Sequence, residues 1–259
     1  MTAQAQDTQT VVYVYGILPG DVEVEPGATG VGDPPSEIRV VRNGDLAALV
    51  SDIAPDQPLG RPEDLIAHEE LLDATAADVP VLPLRFGAVV TSDDAVAEEL
   101  LGAHHDEFSS ALQQLEGHAE YVVKGRYVED AMLREVLAED PQAAQLAEQI
   151  KGADPDATRQ LRMQLGETIS NAVEVKRQQD TRAVGDALEG IAAASVVREP
   201  THELDAVYTA LLVETSAAQD LEQAVQRLAD DWDGRIELRL IGPMAAYDFV
   251  GMPNPAAES

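Results

Sequence analysis

The chain has 259 residues, and 48 acidic against 17 basic side chains give it a formal net charge of -31. Such an excess repels nucleic-acid phosphates, so nucleic acid is not an expected partner. The absence of cysteine excludes disulfides, thiolate nucleophiles and Cys-based metal sites, and no apolar run approaches the roughly 18 residues of a membrane span. The lysines are only Lys124, Lys151 and Lys176. Acid excess with scarce lysine reads as halophilic adaptation, since carboxylate repulsion is screened beyond about 3 Å at 1 M salt. The melting temperature is therefore expected to rise strongly from dilute buffer to molar KCl. An unchanged value would leave the acidity as a solubility device. The first ten residues are polar and lack a basic n-region, which argues against a secretory signal, so a soluble, cytoplasmic protein is expected.

Alternation of apolar and polar residues predicts strands over 11–18, 37–42 and 45–50. The last two are joined at Asn43-Gly44, a preferred two-residue hairpin turn. Residues 26–35, rich in Gly and Pro, read as a flexible loop. Pro62 suits the first position of a helix in which Leu65, His68, Leu72 and Thr75 share one face. Residues 79–87, Val-Pro-Val-Leu-Pro-Leu-Arg-Phe-Gly, have a buried-strand pattern, but Pro80 and Pro83 remove two backbone donors and place it at an edge, a strand start or a bulge. Arg85 in the same apolar run is expected to be held by carboxylates or carbonyls, and Gly87 lets the chain turn away. A capping-box pattern at 91–94 precedes a helical stripe of Val96, Leu100, Phe108, Leu112 and Leu115, which ends near Gly117. This completes an N-terminal α+β domain over 11–117.

A strand over 119–128 opens the second half, and acidic helices follow over about 129–190. One of these is capped by Asp154 with Pro155 at its first position and carries Leu161, Leu165, Ile169, Ala172 and Val173 towards Leu188, with Gly166 and Gly185 within it. Strands at 192–197 and 204–213, a helix with Leu221, Val225, Leu228 and Trp232 on one face, and a strand at 235–241 complete the order. The sequence of elements β, α, β, β, α, β predicts a ferredoxin-like, split βαβ domain with a helical insertion over 118–250. Flexible tails are expected at 1–10 and 251–259.

The search for chemistry is mostly negative. His68-Glu69-Glu70 lacks the second histidine of a zinc-protease helix, since position 72 is Leu. His68 reads instead as a hydrogen-bonded core or interface residue. His104 and His105 are neighbours on a helix and point about 100° apart, so they do not share a metal. Gly27, Gly30 and Gly32 match neither a Rossmann fingerprint nor a P-loop, no serine occupies a G-x-S-x-G elbow, and 52–56 lacks EF-hand spacing. No catalytic residue, metal site or cofactor is assigned, and nothing in the chain demands an enzyme.

Four motifs occur in order: Val12-Tyr-Val-Tyr-Gly-Ile-Leu18, then Val81-Leu-Pro-Leu-Arg-Phe-Gly87 after a His-bearing helix, Gly117-His-Ala-Glu-Tyr-Val-Val-Lys124, and Ile241-Gly-Pro-Met-Ala-Ala-Tyr-Asp-Phe-Val250. Over about 11–250 this arrangement resembles the gas vesicle GvpL/GvpF family. Met244-Ala245-Ala246 stands where that family usually has Trp-Pro-Pro. The resemblance implies an accessory protein of gas vesicle assembly, associated with the vesicle and acting by contact with the small hydrophobic shell protein GvpA and with other accessory gas vesicle proteins. The candidate structural or interface residues are His68, Pro80, Pro83, Arg85, Phe86, Gly87, Lys124, Gly242, Pro243, Tyr247 and Phe249. A ferredoxin-like module that binds a small regulatory ligand is the alternative; an enzyme using Arg85 and His68 has no supporting motif.

Overall fold

The computed structural model describes residues 10–250 apart from 26 and 57, so the tails expected at 1–10 and 251–259 lie, apart from Thr10, outside the described residues. The fold combines helices and sheets in two compact units. One runs to Glu120 and resumes at Pro243, and the other is Tyr121–Gly242.

The first unit is built on β1 (Val11–Pro19), whose apolar run is buried on both faces. It pairs antiparallel with β3 (Leu46–Ile53), which pairs with β2 (Arg39–Asn43). On its other side β1 takes two short strands, β4 (Leu82–Pro83) and β5 (Val89–Val90). The sheet order is therefore β2-β3-β1-β4, with β5 also on β1. The proline segment is an edge, which suits the missing donors of Pro80 and Pro83, and a turn at 85–88 separates β4 from β5. The hairpin differs by one residue from expectation. Asn43 still pairs with Leu46, and the loop is Gly44-Asp45 with φ +63° at Gly44. Only the first central position has positive φ, which suits glycine rather than the Asn-Gly pair. The Asn43 side chain instead donates to the Ala97 carbonyl at 2.6 Å.

Helix α1 (Pro62–Ala76) starts at the expected proline but buries Asp64, His68 and Leu72. Leu65 is 40 % exposed. The face is displaced because Asp64 turns inward to accept from the Gly32 N–H at 3.1 Å and the Arg61 N–H at 3.2 Å. The same contact corrects the flexible-loop reading of 26–35. Gly30, Val31 and Gly32 are buried, and the Val31 N–H donates to the Tyr15 hydroxyl at 2.9 Å. The expected long helix after Ser92 is two pieces, a π-helical stretch Ala95–Gly102, in which Ala103 N–H reaches the Glu98 carbonyl, and α2 (His105–Leu115). The segment around Tyr247, expected with the second domain, belongs to the first unit, where Ala245 is part of the core and Tyr247 packs against it.

In the second unit the sheet order is β7-β8-β6-β9, formed by β6 (His118–Tyr127), β7 (Ala192–Val197), β8 (Asp205–Glu214) and β9 (Ile236–Met244). Its helices are α3 (Glu129–Glu139), α4 (Pro141–Ile150), α5 (Arg159–Ala187) and α6 (Ala218–Asp231). Asp140 caps α4 by accepting from the Gln142 and Ala143 N–H groups. Asp154 caps only a single turn, and α5 begins at Arg159 and passes through Gly166 and Gly185 without a break. Among its expected apolar face, Leu161, Leu165, Ile169, Ala172 and Val173 are half-buried. The fully buried residues are Lys176, Asp180 and Val184. Helix α6 buries Leu221, Ala224, Val225 and Leu228, an i, i+3, i+4, i+7 stripe.

Candidate functional site

The first unit gathers the middle motif around an aromatic cluster. Tyr13 and Tyr15 share a face of β1 with ring centroids 4.7 Å apart, and His68 stacks on Tyr15 at 5.6 Å. Phe86 meets Tyr13 and His68 edge-on at 6.0 and 5.7 Å. The imidazole has a single consistent tautomer. Its Nε2 faces the Leu84 carbonyl at 3.2 Å, and a carbonyl only accepts, so Nε2 carries the proton. Nδ1 then accepts from the Tyr13 hydroxyl at 2.9 Å, and that hydroxyl accepts from the Gly87 N–H at 3.1 Å. Both ends of this chain are backbone groups of 84–87. Residues 85–88 form a tight turn, closed by the Ala88 N–H on the Arg85 carbonyl at 3.2 Å, with Gly87 at φ +90°. A glycine in the third position of such a turn matches type II geometry.

Burial pushes the Tyr13 phenol up to about 12, the Gly87 N–H opposing it, so the hydroxyl keeps its proton. Burial pushes the His68 pKa down, partly offset by the Leu84 carbonyl, and keeps the ring neutral. A folded pKa below the ordinary 6.5 means that the unfolded chain takes up a proton that the fold refuses. The stabilisation is complete above about pH 6.5 and is lost as pH falls through the folded value. Between pH 8 and 5 the melting temperature of the parent should fall more steeply than that of His68→Gln. Parallel curves would contradict this account of the ring.

Arg85 departs from expectation. Its side chain is exposed, and among the described residues it makes no hydrogen bond or ion pair. Exposed in the turn, it does not lock the strand as a buried charge would. Pro83 is buried in β4 and Pro80 is half-buried just before it. At the C-terminal end the Ala245 N–H donates to Asp73 at 2.9 Å and the Asp248 N–H to Glu120 at 2.9 Å, while Ala245, Ala246 and Phe249 are buried. Ala245 is thus fixed through its backbone N–H. Gly242 and Pro243 lie within β9, Gly242 with φ +124°. Lys124 is apart from this cluster. It sits in the second unit over the Tyr208 ring, 4.6 Å from the centroid, and donates to Thr201.

His104 is exposed beside Glu107, and His105 is half-buried with Nε2 on Asp45 at 2.5 Å. Among the described residues no group of three or more His, Asp or Glu side chains is placed to hold a metal, and no helix is long and apolar enough to cross a membrane.

The sequence reading missed a charge network in the second unit. Arg235 bonds Glu135 and Asp180 at 2.8 to 3.2 Å, Lys176 bonds Glu135 and Glu139 at 2.6 Å, and the Tyr127 hydroxyl donates to Asp180 at 2.7 Å. Burial works against the charges, but the carboxylates outweigh it and raise the pKa values of Arg235 and Lys176, while the two cations hold Glu135 below its ordinary range. The available signal was Lys176 with Asp180 at i, i+4, one of three lysines in the chain.

The sequence profile described as "Gas vesicle synthesis protein GvpL/GvpF" matches residues 11–251. Gas vesicle protein F of Streptomyces sp. (strain CB03234) is 34% identical over 241 residues, 92% of this chain and 98% of that protein. Gas vesicle protein L of the same strain is 30% identical over 273 residues, covering 95% and 94%. The fold is that of the crystal structure of GvpF from Anabaena sp. PCC7120, with a TM-score of 0.77 at 23% identity over 95% of this chain and 100% of the other. From the first strand to the turn at Phe249, this chain belongs to the gas vesicle GvpL/GvpF family.

Proposed function

We propose that the chain is an accessory assembly protein of gas vesicle formation, which binds the hydrophobic shell subunit GvpA and other accessory gas vesicle proteins and turns over no substrate. It acts in the cytoplasm and at the gas vesicle. The observation that carries the docking part is the exposed β5 end of the first sheet's edge, since both residues of β4 are buried. Among the described residues β4 and β5 pair with β1 alone, and the turn between them carries the exposed Arg85 and Gly87, followed by Val89 at 50 % exposure. An open edge recruits an extended segment through main-chain hydrogen bonds. The large negative charge keeps such a complex dispersed while an apolar subunit is held. The second unit is read as ferredoxin-like, supported by its chain order of strand, helices, strand, strand, helix, strand and by the central placing of β6 and β8.

Co-purification of the parent chain with GvpA from a co-expressing host is the test. Retention of GvpA through washing supports the reading. A clean negative with folded chain would reject it.

A further inference from the structure

The first unit contains four cationic side chains, Arg39, Arg42, Arg61 and Arg85. Arg39 is bonded to Asp52 and Asp93, Arg61 to Asp33 and Asp64, and Arg42 to the carbonyls of Gly20 and Val22. Arg85 alone has no protein partner among the described residues. In a chain with this surplus of carboxylates, an arginine whose stem swung freely over the surface would find one. The backbone on both sides of Arg85 is pinned instead, at Leu84 by His68 and at Gly87 by Tyr13, and Phe86 is anchored in the aromatic cluster. The turn therefore presents an exposed guanidinium beside the β5 end of the sheet edge.

We propose that Arg85 is the recognition residue of this edge and that the occupant is an extended segment of the shell subunit carrying a carboxylate, which the guanidinium fork takes in a two-point pair while the segment adds alongside β5. This rests on the docking reading above and specifies its chemistry. The charge pattern selects this occupant. A polyanion is repelled by the net charge of -31, whereas one carboxylate on an otherwise apolar strand meets one unpaired cation. Planar guanidinium and carboxylate match in geometry, which lysine does not reproduce, and arginine is enriched among the few residues that dominate interface energetics. His68 and Tyr13 position the turn and make no contact with the occupant.

The test measures GvpA binding by the full chain and by Arg85→Ala, Arg85→Lys and Arg85→Glu, with the melting temperature of each. The expected result is a loss of at least about tenfold for Arg85→Ala, a larger loss for Arg85→Glu and an intermediate one for Arg85→Lys, with melting temperatures equal to that of the parent. A shell-subunit Asp or Glu changed to Arg should restore binding to Arg85→Glu. Parent binding that Arg85→Glu leaves unchanged overturns the inference alone, as does a loss accompanied by a fall in melting temperature, which would make Arg85 structural. No binding by the parent overturns the proposed function and this inference with it.

Discussion

Replacing Asp180 with alanine is expected to destabilise the second unit by about 3 to 5 kcal/mol, the usual consequence of removing one member of a buried charge pair. Asp180 accepts from Arg235 and from the Tyr127 hydroxyl, and its side chain is only 10% exposed. Alanine leaves the Tyr127 hydroxyl without an acceptor and Arg235 with Glu135 alone. A loss of that size lowers the melting temperature by roughly 10 °C or more in a domain of this length. Glu139 is the control. It also bonds the network, at 2.6 Å from Lys176, but it is 62% exposed, so Glu139→Ala should stay within about 0.5 kcal/mol of the parent. Thermal unfolding in molar KCl checks both, since salt screens the exposed pair more than the buried one. Equal melting temperatures for parent and Asp180→Ala would show that the network contributes nothing net.

Gly30→Ala should be the most damaging small substitution in the first unit. A Cβ at that position would stand 2.0 Å from the Tyr15 hydroxyl oxygen and 2.7 Å from Ile38 Cδ1. Tyr15 is fully buried and bonded to Ser51 and to the Val31 N–H, so it cannot retreat without breaking both contacts. Overpacking of this kind costs about 1 to 3 kcal/mol, and each orphaned buried hydrogen bond adds about 1 kcal/mol or more. Gly27→Ala provides the comparison. Nothing lies within 4 Å of its Cβ, and the strain comes only from φ +86°. The cost there should be nearer 1 kcal/mol. Chemical denaturation of the two variants should rank them in that order, and the reverse ranking would contradict the packing around Tyr15.

The elements set by local pattern were legible: the β1 run, Pro62 opening α1, the edge character of the proline segment and the α6 stripe all follow from periodicity and missing donors. What escaped depended on partners distant in sequence. The burial of Asp64 had no local signal, because its partner, the buried Gly32 N–H, is brought to it across 32 residues. Arg85 looked buried because apolar residues flank it, but a turn at Gly87 reverses the alternation and points it outward. His68 was read correctly as a hydrogen-bonded residue, whereas its partners, Tyr13 and the Leu84 carbonyl, come from two other elements. The Glu135, Asp180 and Arg235 network joins residues up to 100 apart, and in a chain this acidic no carboxylate stands out by itself. The C-terminal motif was found, but its return to the first unit is a tertiary choice that no local pattern encodes.

The central claim is that the edge formed by the turn at Arg85 and β5 receives the shell subunit. Amide hydrogen exchange of the chain, free and with GvpA bound, tests it most directly. The account predicts new protection at 84–90, where edge amides acquire acceptors, with the buried strands β1 and β8 unchanged. Protection that appears elsewhere while 84–90 exchanges as in the free chain would contradict it.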